Sequence, residues 1–357
     1  MCSGRVTLPV EPEGVVVSTQ PAPAAAPTAA PAFGTVAAPH MVVIDVTDGQ
    51  FGDPVVQETA AFTIHPFAHV LHYGSACFEG LKAHRGHDGV VRMFRHGSHV
   101  ARMQRTAGLL CPPVPPAALL ADALRAAVAH NLDVTPESPG ALYLRPILFG
   151  TEPNIGAAAA PSRHAKLVVL ASPVGDYFGG AARALKLLVE TTLPRTTPQF
   201  GEAKAGANYV MALGVTQQAR ADHGVDQVLF APGGSVQETG AANFLLLDDD
   251  SIVTRALDTS FLHGITRDSI LTLGRDLGYR VEERDISVDE LLSWEGEAAL
   301  AGTAAVLSGV GTLVHDGDQV TIGDGQVGAN TSRLREALLA VQRAEAPDRH
   351  GWLSAVS

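Results

Sequence analysis

Short apolar runs bounded by turn residues alternate with amphipathic segments along most of this chain. Three runs in the first half are rich in β-branched or large apolar residues, as strands are: Val90–Phe94, Tyr143–Phe149 and Lys166–Ser172. Between them, Pro116–Leu132 carries Leu120, Leu124 and Val128 four residues apart, which places all three on one face of a helix. This alternation predicts a fold that mixes helices with sheets, of the α+β class.

The second half of the chain has the same mixed pattern. Its predicted strands are Ala184–Glu190, Gln227–Ala231 and Phe244–Leu247. Thr266–Leu277 is predicted to be a helix that Gly278 ends, and Ser287–Glu290 has the capping-box spacing that begins a further helix. Each half therefore contains enough strands and helices to form an α+β domain of its own.

Pro-Ala tracts near the start and a Pro-Gly stretch near residue 175 mark the predicted domain limits. Residues 1–38 are predicted to be a disordered tail, because such tracts bury too little surface to offset the entropy lost on ordering. Residues 39–174 then form a small N-terminal domain and 184–357 a larger C-terminal domain. The segment 175–183 is predicted to be the linker between them.

Composition excludes several classes of protein. A net charge of −12 over 357 residues argues against nucleic acid or an anionic membrane surface as a partner, since both require a basic face. No apolar run reaches the roughly 18 residues of a membrane span. The cysteines, Cys2, Cys77 and Cys111, are few and widely spaced, and the first residues lack the pattern of a signal peptide. We therefore expect a reducing, cytoplasmic location.

One lysine lies among small residues in the segment from Gly201 to Tyr209, which reads Gly-Glu-Ala-Lys-Ala-Gly-Ala-Asn-Tyr. A lysine kept away from bulk water loses its proton more easily, and a neutral amine is the form that attacks an aldehyde. Tyr209 follows Lys204 by five residues, where the first turn of a helix would bring its hydroxyl back toward the amine. A solvated loop lysine is the alternative that this segment alone leaves open.

Three later segments carry groups that could bind an anionic ligand with a ring nitrogen. Glu238 follows a predicted turn, and a carboxylate beside a heterocyclic nitrogen keeps that nitrogen protonated. Gly264-Ile265-Thr266 opens a predicted helix whose first N–H groups favour an anion. Thr303 lies in a turn of small residues that can present N–H groups and a hydroxyl. Each segment alone is equally compatible with an ordinary turn.

Taken in order, these residues resemble the branched-chain amino acid aminotransferases, which are pyridoxal-phosphate enzymes of fold type IV. The resemblance extends from about Val42 to the chain end. It includes these segments: His72–Lys82, Phe94-Arg95, Arg102-Met103, Leu142–Pro146, Phe149–Pro153, Ser172–Gly175 and Gly351-Trp352. It implies the two-domain fold of the D-amino acid aminotransferase type, with the cofactor in the larger domain. It also implies a homodimer and a ping-pong exchange of amino groups between leucine, isoleucine or valine and 2-oxoglutarate.

The resemblance implies a role for each residue of the cofactor site. Lys204 is the implied catalytic residue, which binds the aldehyde of pyridoxal 5'-phosphate and moves a proton at the substrate Cα. Tyr209 is implied to contact the phenolate oxygen of the cofactor, and Glu238 the ring nitrogen. The implied phosphate ligands are Arg102, Ile265, Thr266 and Thr303. A planar guanidinium suits such a group, since it meets phosphate in two parallel bonds.

The implied substrate pocket combines aromatic side chains, one arginine and a backbone turn. Arg145 is expected to help accept the distal carboxylate of glutamate or 2-oxoglutarate. The N–H groups of Thr303 and Ala304 are expected to hold the α-carboxylate. The implied aromatic lining is Tyr73, Phe78, Tyr143 and Tyr177.

Several positions depart from the family pattern without removing a catalytic group. Ala207 stands where the lysine motif usually has a second glycine, and His263 stands where a proline is usual before the Gly-Ile-Thr segment. These departures leave two alternatives open: an aminotransferase for an unusual amino acid in specialised biosynthesis, and a catalytically silent cofactor-binding homologue. A histidine group (His65, His69, His72) has a spacing that metal sites use, but Pro66 and the lack of nearby carboxylates favour no metal.

Overall fold

The computed structural model describes residues 33–175 and 183–356. The predicted tail lies outside the described residues as far as residue 32. From Phe33 onward the chain makes defined contacts, and the first strand begins at His40. From residue 32 to the end, the chain forms one compact unit, so the division into two domains near residue 175 stays a prediction.

The first sheet contains the strands of the first half and one strand from the C-terminus. Those of the first half are β1 (His40–Thr47), β2 (Gln50–Phe51), β3 (Val55–Glu58), β4 (Ala76–Phe78), β5 (Leu81–Arg85), β6 (Val91–Phe94), β7 (Ala141–Gly150) and β8 (Ala165–Val174). The sheet is antiparallel, and β7 and β8 pair along ten residues each. The three strands predicted for this half are confirmed as β6, β7 and β8, each within two residues at either end.

Helices on the first sheet bury the apolar faces that the sequence pattern predicts. They are α1 (His69–Tyr73), α2 (His96–Leu110) and α3 (Ala117–Ala129). Helix α3 confirms the predicted helix, and its Leu120, Leu124 and Val128 are almost wholly buried in the core against β1, β7 and β8. Helix α2 packs against α3 and β4. Arg102 lies on the buried face of α2.

The second sheet is mixed, with both parallel and antiparallel strand pairs. Its strands are β9 (Leu185–Glu190), β10 (Gln227–Phe230), β11 (Asn243–Leu247), β12 (Ser251–Thr254), β13 (Arg280–Glu283), β14 (Glu297–Gly302), β15 (Val306–His315) and β16 (Asp318–Thr321). Strand order along the sheet is β10-β9-β15-β14-β11-β12-β13, with β16 beside β15. The strands predicted from the second half are confirmed as β9, β10 and β11.

The remaining elements cover the second sheet and return the chain to the first. Helices α4 (Gly206–His223), α5 (Ile265–Asp276), α6 (Val288–Leu292) and α7 (Ala329–Gln342) are followed by β17 (Leu353–Ala355), which pairs with β6. Ser287 accepts a hydrogen bond from the Glu290 N–H, as the predicted helix cap requires. Among the residues that the structure describes, no helix combines the length and apolar character that a membrane crossing needs.

Candidate active site

The loop that carries Lys204 is held in place by backbone and amide hydrogen bonds. The Lys204 N–H donates to Thr106 Oγ1 (3.2 Å), and its carbonyl accepts from the Phe78 N–H (3.1 Å). The Asn208 amide donates to the carbonyls of Phe200 and Ala203, at 2.7 and 2.8 Å. Asn208 is buried and forms hydrogen bonds with two loop carbonyls, so it stabilises the backbone conformation of this loop. Breaking either bond would leave a buried polar group unpaired.

The amine of Lys204 and the phenol of Tyr209 are brought together as the spacing predicted. Helix α4 begins at Gly206, so Tyr209 lies in its first turn. Lys204 Nζ donates to the Tyr209 hydroxyl oxygen at 2.6 Å and lies 4.9 Å from the Phe78 ring centroid. The amine is therefore partly buried among an aromatic face and a single polar partner, which is the environment predicted for a nucleophilic lysine.

Glu238 is a buried carboxylate with three different donors. Its Oε1 accepts from the Leu262 N–H at 2.9 Å and lies 2.8 Å from Arg195 Nη2, while its Oε2 accepts from Asn243 Nδ2 at 3.0 Å. Burial raises the pKa of Glu238 above its ordinary value, although Arg195 and the other donors oppose that shift. Glu238 and Lys204 line the same cavity, together with Arg102, Thr266 and Thr303.

Arg195 is a site residue that sequence reasoning missed. Its side chain is 3% exposed, and Nη2 contacts both Glu238 Oε1 and the carbonyl of Gly201, at 2.8 and 2.9 Å. Arg195 thereby joins the carboxylate to the loop that carries the lysine. Nothing in the Leu-Pro-Arg-Thr sequence around it distinguishes it from a surface arginine, because both of its partners are brought in by the fold.

The predicted anion-binding groups meet at the start of α5. Gly264 precedes this helix, and no side chain caps its first N–H groups. Such N–H groups lack a partner inside the helix and carry partial positive charge. Arg102 reaches the same place, since its Nη1 donates to the carbonyl of His263 at 3.0 Å. The ring of His263 points to a different group, since its Nε2 lies 2.8 Å from the carbonyl oxygen of Asp258.

Arg102 is oriented by Glu79, a residue for which the sequence suggested no role. Arg102 Nε and Nη2 donate to the two carboxylate oxygens of Glu79 at 2.6 and 2.8 Å, and both side chains are almost wholly buried, 4% and 1% exposed. A guanidinium has five N–H groups, so three used bonds leave one free on each terminal nitrogen. Arg102 therefore keeps two donors for an anion on the side away from Glu79.

The charge state of this cluster follows from burial and pairing. Burial opposes ionisation of Glu79, but the charge and hydrogen bonds of Arg102, helped by His99, hold the pKa of Glu79 well below its usual range. Burial keeps the pKa of His99 below its usual value in spite of the nearby carboxylate. Its Nδ1 lies 2.7 Å from Glu79 Oε2, so the His99 ring is a second partner of this carboxylate.

The turn between β14 and β15 contains Thr303 and Ala304. Lys82 Nζ donates to the carbonyl of Ala304 at 2.8 Å, and the turn is followed by Val306 at φ 65°. A β-branched residue in the left-handed region is strained, and such strain persists where the surrounding structure fixes the backbone. The N–H and hydroxyl groups of this turn are therefore held in one conformation beside the cavity that contains Lys204.

Phe78, Tyr143 and Arg145 form one stacked group. The Arg145 guanidinium lies 4.7 Å from the Phe78 ring centroid, and its Nη2 donates to the Tyr143 hydroxyl at 2.8 Å. A Cβ on Gly80 would lie 2.0 Å from that hydroxyl oxygen. The glycine of the Phe-Glu-Gly segment is thus required for Tyr143 to lie there, and Phe33 packs edge-on against the same ring.

Tyr73, a further aromatic residue implied for the pocket, is not part of this group. Tyr73 is 38% exposed, and its hydroxyl donates to the carbonyl of Ile155. Tyr177 lies outside the described residues. His69 fixes the loop before Tyr73, because its Nδ1 meets Ser75 Oγ at 2.9 Å and its Nε2 meets two carbonyls. In the described residues no group of three metal-ligating side chains is close enough to hold a metal ion.

The chain is similar to one protein family along most of its length. It matches the family model of class IV amino-transferases over residues 76–311. The probable branched-chain-amino-acid aminotransferase of Streptomyces coelicolor is 38% identical over 344 residues, which cover 92% of this chain and 93% of that protein. The branched-chain-amino-acid aminotransferase of Mycobacterium tuberculosis is 37% identical, with 91% of this chain and 92% of that protein covered.

Solved structures have the same overall fold. The branched-chain amino acid aminotransferase of Escherichia coli superposes with a TM-score of 0.74 at 27% identity, covering 90% of this chain and all of that one. The T.th. branched-chain amino acid aminotransferase, solved with pyridoxamine 5'-phosphate, gives a TM-score of 0.75 at 28% identity, with the same coverage.

Proposed function

The chain belongs to the class IV aminotransferase family, and we propose that it exchanges amino groups between branched-chain L-amino acids and 2-oxoglutarate, with pyridoxal 5'-phosphate as cofactor. The observation that carries this proposal is one cavity lined by the Lys204 amine, the buried Glu238 carboxylate and the Arg102 guanidinium. These three groups match three parts of this cofactor. The amine suits its aldehyde, the carboxylate suits its ring nitrogen, and the guanidinium suits its phosphate.

The donor set fits the cofactor at both of its charged ends. The two unused N–H groups of Arg102, the uncapped first turn of α5 and the Thr303 hydroxyl would hold the phosphate. Glu238 would hold the proton on the ring nitrogen, and Tyr209 would contact the phenolate oxygen. When bound, the cofactor supplies an electrophilic aldehyde and a ring that accepts electrons from the substrate Cα.

Lys204 acts twice in the proposed reaction. Its amine binds the aldehyde carbon until a donor amino acid displaces it, and the freed amine then moves the proton between Cα and the cofactor. Its 2.6 Å bond to Tyr209 holds the amine in place, and the Phe78 ring covers one side of it, with its centroid 4.9 Å away. One side chain thus serves as attachment point, base and acid in turn.

The substrate would be held by its carboxylates. The N–H groups of Thr303 and Ala304 would bind the α-carboxylate, which every substrate shares. Arg145, stacked on Phe78 and bonded to Tyr143, would accept the distal carboxylate of 2-oxoglutarate. The aliphatic side chain of leucine, isoleucine or valine would instead pack on the rings of Phe78 and Tyr143. The same pocket would therefore bind the amino donor and 2-oxoglutarate in turn.

We further propose a cytoplasmic homodimer. Apolar side chains that one chain leaves exposed support the dimer: Phe62, Phe67, Leu71, Tyr73, Ile155, Leu193, Val210, Met211 and Leu213. Three of them, Val210, Met211 and Leu213, adjoin one another on α4, and adjoining exposed apolar side chains favour a surface that another copy covers. The buried Cys77, whose thiol pKa burial raises to about 12, and the exposed Cys111 are both unpaired, which favours a reducing compartment.

The proposed function is tested by measuring aminotransfer from each of the common L-amino acids to 2-oxoglutarate. We expect leucine, isoleucine and valine to give the highest kcat/KM values. A clear preference for any other donor would overturn the proposed substrate class but leave the reaction. Absence of glutamate formation with every donor, in protein reconstituted with pyridoxal 5'-phosphate, would overturn the reaction itself.

A further inference from the structure

Arg195 occupies a position that the proposed chemistry does not yet use. Its guanidinium is buried and lies between Glu238 Oε1 and the Gly201 carbonyl, with Nη2 at 2.8 and 2.9 Å from these two oxygens. A Cβ on Gly201 would lie 2.0 Å from the backbone carbonyl of Ser260. The start of the Lys204 loop is therefore held tightly between Arg195 and the chain before α5.

We infer that Arg195 is a positioning residue. It keeps the Glu238 carboxylate charged and directed at the ring nitrogen of the cofactor, and it fixes the position of this carboxylate relative to the Lys204 loop. This inference rests on the proposed function, since it assumes that Glu238 serves a ring nitrogen. Arg195 acts through Glu238 and is not itself in contact with the reacting atoms.

The need for such a residue follows from the burial of Glu238. Burial favours the neutral carboxyl and raises its pKa, and the groups that oppose this are Arg195 first, then the Leu262 N–H, Lys204 and Arg102. A neutral carboxyl cannot hold a proton on a ring nitrogen. Lys204 gives up its ammonium charge when it binds an aldehyde, and Arg102 is already paired with Glu79. An arginine stays charged throughout, so Arg195 is the constant counter-charge.

The shape of the guanidinium adds orientation to charge. Its two acceptors, a carboxylate oxygen and a loop carbonyl, are fixed relative to each other by the same side chain. A lysine would keep the charge but lacks the rigid planar group. Arg195 therefore couples the direction of the Glu238 oxygens to the placement of the Lys204 loop.

The test compares the reconstituted wild type with Arg195→Met, Arg195→Lys and a control, Arg267→Met. Arg267 is likewise a buried arginine, 2% exposed, but its partners are Glu283 and the Arg255 carbonyl. For each protein the pH dependence of kcat with leucine and 2-oxoglutarate is recorded, together with the pH dependence of the visible absorbance of the bound cofactor.

We expect Arg195→Met to move the acidic limb of both profiles upward by about one pH unit or more, as the loss of an opposing charge beside a buried carboxylate requires. Arg195→Lys should give a smaller shift in the same direction, and Arg267→Met none. If Arg195→Met does not fold, the shift in Arg195→Lys decides the question. Profiles that stay at the wild-type position in both variants would overturn the inference. Failure of the proposed function is a separate outcome, because then the wild type itself would show no leucine-dependent absorbance change.

Discussion

Replacing Arg102 with methionine should lower the free energy of unfolding of the cofactor-free protein by about 3–5 kcal/mol, because it leaves a buried carboxylate without its main partner. Glu79 is 1% exposed and Arg102 4%, and two hydrogen bonds join them at 2.6 and 2.8 Å. In the variant, Glu79 would keep only His99 and the Gly80 N–H.

The magnitude follows from charge and separation. With charges about 4 Å apart and an effective dielectric constant of about 20, the attraction is about 4 kcal/mol. A loss of that size is a large part of the roughly 5–15 kcal/mol by which a domain is stable. The double variant Glu79→Gln/Arg102→Met removes both charges, and we expect it to be more stable than Arg102→Met alone, by about 1–3 kcal/mol.

Urea unfolding of the cofactor-free proteins at one pH and one protein concentration measures these differences. Arg92→Met is the matched control. It breaks the ion pair of Arg92 with Asp88, whose side chain is 53% exposed, and should leave the free energy of unfolding nearly unchanged, because water screens an exposed pair. A loss below about 1 kcal/mol for Arg102→Met would refute the reasoning. So would a double variant whose loss equals the sum of the losses measured for Arg102→Met and for Glu79→Gln alone.

Three other substitutions test separate parts of the molecule. Gly201→Ala would place a Cβ 2.0 Å from a neighbouring backbone carbonyl and should displace the lysine loop, with a fall in kcat of about tenfold or more; Gly97→Ala, in open space on α2, should change little. Arg145→Gln should raise the KM for 2-oxoglutarate about tenfold to a hundredfold, which is the equivalent of one lost charge-assisted hydrogen bond. The KM for leucine should stay within about twofold of the wild-type value. Equal changes in both KM values would contradict a role of Arg145 in specificity. Burial lowers the pKa of His84 to about 3, so below about pH 6.5 the unfolded chain binds a proton at this ring and the folded chain does not. As the pH is lowered through this range, His84 alone should reduce the free energy of unfolding by about 1.4 kcal/mol per pH unit. His84→Leu should reduce that slope between about pH 6.5 and 5 in urea unfolding, and an unchanged slope would mean that His84 is charged in the folded protein.

Sequence alone predicted those parts of the site that depend on local structure. Lys204 and Tyr209 are joined by a helix start, so their spacing was enough to predict that amine and phenol would meet. The uncapped start of α5, for which anion binding is predicted, was equally local, because it needs only the Gly-Ile-Thr segment and a helix after it. Six strands, β6 to β11, were predicted from their apolar runs, which the two sheets bury.

Contacts between distant segments could not be predicted in this way. Arg195 follows β9 and Glu238 follows β10, and the two meet because these strands pair in parallel, which no local pattern records. The same holds for Glu79 and Arg102, which come from β4–β5 and α2. Phe33 belongs to the predicted tail by composition, yet its aromatic ring finds a partner in Tyr143. Such partners depend on the tertiary fold, so sequence periodicity does not report them.

The most direct test of the proposed chemistry is the visible absorbance of the protein reconstituted with pyridoxal 5'-phosphate, followed as L-leucine is added without 2-oxoglutarate. We expect a visible band that leucine, isoleucine and valine bleach, that 2-oxoglutarate restores, and that neither forms nor responds in Lys204→Ala. A Lys204→Ala protein with the wild-type band and wild-type turnover would contradict the assignment of residue 204 as the amine that binds the cofactor.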